Sequence, residues 1–101
     1  MKMLTKAIEN KLPKLGTYES TQTKDVPITV KFFTPWSNWT WFVTEGEKQE
    51  DGSWLMFGMV HGFEKELGYF NLSELEAIRG PGGLRIERDR YYEGHTLSEV
   101  I

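Results

Sequence analysis

The chain has 101 residues, of which 39% are hydrophobic and 14% aromatic, with a net charge of −3 and no cysteine. That length suits one domain with its own core, and the aromatic content excludes an intrinsically disordered chain. The missing thiols exclude a disulfide framework and any thiolate metal or redox site, which fits a cytoplasmic location.

At the start, Leu4, Ile8, Leu12 and Leu15 recur at helical spacing. Thr5 is placed to cap the first turn and Pro13 to end it, so a short helix is expected here. The lysines of this segment interrupt any continuous apolar run of the signal-peptide kind. Nothing further on approaches the roughly 20 apolar residues of a membrane span. Residues 16–27, GTYESTQTKDVP, are polar and aperiodic and read as a loop free to move.

Residues 28–33 alternate, with Ile28, Val30 and Phe32 on one side, and predict a half-buried strand. A turn over residues 34–38 leads to a second strand through Trp39–Thr44, which puts Trp39, Trp41 and Val43 on one face. Asp51-Gly52 suits the hairpin turn before a third strand at Trp54–Val60. His61-Gly62 reads as a break, and a short fourth strand is expected over residues 68–71. Ser73 and Glu76 have the spacing of a capping box for a second helix with Leu75 and Ile78 as its apolar face. Gly80 is placed as its left-handed cap, with Pro81 beyond it. In GLRIERDR, Leu84 and Ile86 read as the inward pair of a last strand. The whole chain, residues 1–101, is thus expected to form a single α+β domain, with a mainly antiparallel sheet of about five strands and two short helices packed on one face.

Charge is unevenly spread: residues 1–31 carry +3, residues 32–78 carry −6 and residues 79–101 carry none. Three of the four tryptophans, Trp36, Trp39 and Trp41, fall within six residues. Strand alternation assigns Trp39 and Trp41 to core packing and leaves Trp36 on the turn, where an exposed indole suits a partner hot spot. No lysine or arginine lies between Thr34 and Gly46, so the cluster lacks the basic interleaving of a single-strand stacking platform. Glu45, Glu47, Glu50 and Asp51 form an acidic stretch, which is either a solvated loop or part of a surface that imitates phosphates.

The blocks LTKAIENKLPKL, VKFFTPWSNWTWFVTEGE, FGMVHGFEKELGYFNLSELEAIRG and GLRIERDRYYEGHTLSEV, in this order, resemble a bacterial family catalogued as domain-of-unknown-function family 2958. The resemblance spans nearly the whole chain and implies no activity. It implies a context instead, since members look like cargo of plasmids, integrative elements and phages, a setting in which small proteins often serve as inhibitors or adaptors.

These readings converge on a non-enzymatic interaction protein of mobile-element type, with no cofactor or metal, that binds a protein partner. Inhibition of a host defence nuclease such as CRISPR or restriction machinery is the expected consequence. Trp36, Asn38, Glu47, Glu50 and Asp51 are the expected contact residues, with Trp36 as anchor. One alternative is a nucleic-acid-binding accessory protein using Lys2, Lys6, Lys11 and Lys14 with Arg85, Arg88 and Arg90, which requires the first helix and last strand to share a face. Another is a small metal-dependent enzyme centred on His61, Glu64 and His95, although no recognised metal-ligand spacing is present.

Overall fold

The computed structural model describes residues 2–101. Five strands form one antiparallel sheet: β1 (Val30–Phe33), β2 (Thr40–Lys48), β3 (Trp54–His61), β4 (Lys65–Asn71) and β5 (Glu87–Arg88), in the order β4-β3-β2-β1-β5. Two six-residue helices, α1 (Lys6–Lys11) and α2 (Leu72–Ala77), complete an α+β fold. None of the helices is long and apolar enough to cross a membrane among the described residues.

Both helices pack on the same sheet face. Alternation along β1 and β2 delivers Val30, Phe32, Trp41 and Val43 to that face, where they meet Met56 of β3, Phe70 of β4, and Leu72 and Leu75 of α2. Leu4, Ile8 and Leu12 close the layer from the α1 side. Thr5 caps α1 as expected, accepting a hydrogen bond from the Ile8 amide at 3.2 Å. The chain then crosses this face from one sheet edge to the other, since α2 follows β4 while β5 pairs with β1.

The opposite face is covered without α-helices. Val26, Met59 and Leu97 form a second, smaller core, against which Tyr18, Phe42 and Val100 pack. The 16–27 segment, expected as a free loop, is tied down here. It contains a 3-10 turn at Thr23–Asp25, and Val26 accepts a backbone hydrogen bond from Leu97 at 2.8 Å. The Tyr92 hydroxyl extends this lock by donating to the Ile28 carbonyl at 2.9 Å and accepting from the His95 amide at 3.0 Å.

Burial pushes the Tyr92 phenol above its ordinary value, with a smaller contribution in the same direction from the Glu99 charge. A phenol whose proton is held more tightly in the folded state stabilises the fold fully below the unfolded pKa of about 10, and that contribution disappears as pH rises through the raised folded value. Tyr92→Phe is therefore expected to cost about 1–2 kcal/mol at neutral pH. It should also reduce the loss of stability seen in urea titrations run from about pH 9 to pH 12. An unaltered alkaline limb in the variant would show that Tyr92 does not titrate with unfolding.

Several local expectations change. α2 is capped by Asn71, whose side chain accepts from the Ser73 amide at 3.0 Å while Glu74 accepts from the Asn71 amide at 3.1 Å. The capping box thus lies two residues before the Ser73/Glu76 pair, because β4 runs directly into the helix and Asn serves as well as Ser at a cap. Ile78 is already extended and is 38% exposed, so it caps the helix and Leu75, not Ile78, is buried in the core. Gly80 has φ −98° and is not a left-handed cap; Gly82 and Gly83, in the turn after Pro81, take positive φ. Leu84 is exposed while Ile86 is buried, and an antiparallel bridge joins Arg79 to Arg85 across the intervening loop. The predicted last strand shortens to Glu87–Arg88. The segment after His61-Gly62 is a hairpin arm: Lys65 pairs with His61, so β4 begins three residues earlier than expected.

Candidate functional site

The two ends of the sheet differ in chemistry. At one end, the β1–β2 turn is fixed by buried Thr34, whose amide donates to the Trp39 carbonyl at 3.0 Å and whose hydroxyl accepts from the Trp39 amide at 3.1 Å. This clamp sets the positions of both indoles that flank it. Trp36 lies flat over Gly80, where an added Cβ would stand 2.4 Å from the ring. It is half-buried against the main core, so the turn folds back and does not loop out.

Trp39 covers Gly62 in the same manner, again at 2.4 Å from a hypothetical Cβ. Its ring centroid is 5.9 Å from that of Trp41, which confirms that the two strand tryptophans share a face. On its other side Trp39 meets Phe63 edge-on, at 5.4 Å and an interplanar angle of 82°. Phe63 sits at the tip of the β3–β4 hairpin, which is closed by a hydrogen bond from the Gly62 amide to the Glu64 carbonyl at 3.0 Å. It is 96% exposed. Beside these rings is a shallow cleft of about 330 Å³, lined also by Val60, Gly62, Glu64 and Glu66. The glycines at positions 62 and 80 permit this aromatic end, because any side chain there would lift a tryptophan from its seat.

The other end of β2 carries the acidic hairpin. Glu50 and Asp51 are exposed and Glu47 is half-buried. Asp51 accepts from the Ser53 hydroxyl at 2.6 Å and from the Ser53 amide at 2.9 Å, and these bonds hold its carboxyl below the usual range. Its structural work is therefore to order the turn. Nine residues of β2 separate this hairpin from the aromatic end, a span of about 30 Å at ordinary strand rise. The structure does not bring the five expected contact residues together: Trp36 and Asn38 belong to one surface, and Glu47, Glu50 and Asp51 to another.

The residues of the metal alternative are also dispersed. His61 directs Nε2 to the Val100 carbonyl at 2.5 Å and sets its ring edge-on to Phe42 at 4.9 Å. His95 pairs through Nδ1 with Glu99 at 2.6 Å, a contact that is the main cause of the lowered Glu99 pKa. Glu64 belongs to the aromatic tip. No three His, Asp or Glu side chains converge as metal ligands among the described residues.

The nucleic-acid alternative needed the chain start and the last strand to share a face, and they do so in part. Lys2 and Arg85 line one groove of about 620 Å³, but Glu9, Glu76 and Glu87 line it as well. Carboxylates thus outnumber cations, and the Arg85 guanidinium is engaged with the Glu76 carbonyl at 3.3 Å. Of the other cations, Lys6 pairs with Glu9 at 3.9 Å.

Two residues escaped the sequence reading. Phe63 lies where His61-Gly62 reads as a strand break, but HGFEKEL separates two pairable strands and so places its aromatic at a hairpin tip. Glu45 reads as one of the loop acids, but β2 continues through it to Lys48 and buries it.

A twisted antiparallel sheet, helices on one face and an aromatic tip define a small α+β protein with a preformed, exposed apolar end. The family model described as Protein of unknown function (DUF2958) matches residues 3–101, and the chain belongs to this family. Comparison with curated proteins and with solved structures gives no match.

Proposed function

We propose that the protein is a non-enzymatic interaction protein whose protein partner docks on the aromatic end of the sheet. The observation that carries this reading is Phe63, a large ring 96% exposed yet already oriented by Trp39. Full burial of such a side chain is worth about 1.5–3 kcal/mol, and an oriented aromatic gives up little conformational entropy on binding. Trp36, Asn38 and Trp39 flank the same end, and the carboxylates of Glu64 and Glu66 favour a partner with basic residues around an apolar hollow. The mobile-element reading narrows the partner to a host nucleic-acid-processing complex, such as a defence nuclease, whose basic surface would be drawn to the −6 carried by residues 32–78. Within this reading the acidic hairpin steers approach from a distance and the aromatic end supplies contact.

Phe63→Ala tests it. The variant is expected to keep its stability within about 0.5 kcal/mol, since it removes an exposed ring. Quantitative capture from the native host, followed by mass spectrometry and titration of the retained protein, should show affinity reduced about 30-fold or more, as for a hot-spot truncation. Retention of the same partner with equal affinity would overturn the reading. Trp36→Ala is a poorer probe, because the ring seats on Gly80 and the core. It should cost about 2 kcal/mol of folding stability whether or not Trp36 touches a partner.

A further inference from the structure

We propose that a second surface, the cleft beside Glu45, is a binding site for an organic cation: a guanidinium or primary ammonium group on an apolar body. It lies on the sheet face opposite the helices, encloses about 380 Å³, and is lined by Tyr18, Thr44, Glu45, Phe57, Leu67 and Tyr69 among others. That volume falls within the range of small-ligand sites, roughly 300–1,000 Å³.

The site owes its carboxylate to a bulge. Val43 of β2 pairs with Gly58 of β3, whereas Glu45 pairs with Phe57, so Thr44 is an extra residue between successive pairs. Unbroken alternation would have sent Glu45 to the side of Trp41 and Val43, into the helix-covered core. The bulge reverses its direction. Glu45 instead shares the face of Phe57, where it is only 4% exposed and accepts one hydrogen bond, from the Tyr18 amide to Oε1 at 2.7 Å.

This leaves a carboxylate short of partners. Glu45 makes no ion pair, and Oε2 accepts no hydrogen bond, among the described residues. Oε2 is not sealed either, since the one side-chain polar atom buried without a partner among those residues is Arg88 Nε. It therefore opens on the cleft. A ligand donor that reached this oxygen would meet a charged acceptor held in place by the Tyr18 amide, the arrangement that gives a charge-assisted hydrogen bond. The walls suit a cation: Phe57 and Tyr69 stand with ring centroids 4.9 Å apart and at 60° to one another, and Tyr18 lines the same cleft. Aromatic faces attract guanidinium and ammonium groups, while their apolar area holds an attached hydrocarbon chain. Exposed Leu67 and Tyr69 at the mouth extend that apolar wall.

The same cation chemistry is offered by a free small amine and by an arginine side chain of a polypeptide. Titration of the 15N-labelled protein with agmatine, and separately with a short uncharged-flank peptide containing one arginine, distinguishes the two sources. Saturable shifts are expected at the amides of Tyr18, Glu45, Phe57 and Tyr69. Stronger binding of agmatine would identify a metabolite site, and stronger binding of the peptide a side-chain socket. Glu45→Gln keeps an acceptor for the Tyr18 amide and should weaken either ligand about 10-fold or more, the scale of a lost charge-assisted hydrogen bond. Butylurea, a neutral isostere of butylguanidine with no ammonium group, should likewise bind more weakly than butylguanidine by about 10-fold or more. Tyr69→Ala, at a ring 65% exposed, provides a variant that keeps its fold and should also weaken binding. Absence of shifts at these four amides with both ligands, or equal affinity in Glu45→Gln, would overturn the site. Phe63 is not among the cleft's lining residues, so Phe63→Ala should bind agmatine normally, and failure here leaves the aromatic-end reading standing.

Discussion

Gly58→Val is expected to be strongly destabilised. Gly58 lies in β3 opposite Val43, at the pair that precedes the bulge. A Cβ at this position would be 1.8 Å from the Phe42 carbonyl oxygen and 2.9 Å from its carbon. Both atoms belong to the backbone of a strand hydrogen-bonded on each side, so no rotamer change can relieve the overlap. β2 and β3 would have to separate at the centre of the sheet, and the loss should be about 4–5 kcal/mol out of a typical total of 5–15. At about 4–8 °C per kcal/mol for a domain near this size, thermal unfolding followed by circular dichroism should fall by roughly 20 °C or more. Gly68 supplies the internal control. It is the cross-strand neighbour of Gly58 in β4, yet nothing stands within 4 Å of its hypothetical Cβ. Gly68→Ala should therefore be neutral or stabilising by a few tenths of a kcal/mol. Similar melting of the two variants would disprove the close approach at Gly58.

Phe32→Ala should cost about 3–5 kcal/mol, the range for emptying an aromatic site in a packed core. Phe32 is 0% exposed, pairs across the sheet with Trp41 and Arg88, and sits in the helix-covered cluster. The void would be walled by backbone-fixed strands that cannot collapse into it, which favours the upper part of that range. Urea unfolding of Phe32→Ala and Phe63→Ala side by side gives the sharpest contrast, because the same deletion is made once in the core and once at a fully presented tip. A difference below about 2 kcal/mol would mean that Phe63 is packed in solution, or that Phe32 is not.

Strand periodicity and composition carried much of this architecture. The alternation of Val30, Phe32, Trp41 and Val43 identified the inner face because β side chains repeat every two residues regardless of partner. Thr5 was legible as a cap because capping is local. The Asn71 cap was not, since it depends on where β4 stops, and that is set by pairing with Leu55 across the hairpin. The five expected contact residues divide between two surfaces: Trp36 and Asn38 fall at the aromatic end, and their separation from Glu47, Glu50 and Asp51 is a strand length that sequence distance understates. Phe63 and Trp39 are 24 positions apart in the chain and touch only because β2 and β3 pair in one particular register.

The sequence by itself determined an α+β domain with a helix-covered sheet face, a tryptophan pair within it and an acidic middle, because these follow from local spacing and charge. Tertiary structure alone decided the direction of Glu45. Unbroken alternation would carry it into the helix-covered core, and a single extra residue at Thr44, tolerated because Gly58 lets the strands approach, turns it to the opposite face. Tertiary structure likewise decided that Trp36 is seated, by placing Gly80 beneath it from 44 residues away. Both outcomes depend on contacts between segments remote in the chain, where pairing register and a missing Cβ outweigh any preference the local sequence expresses.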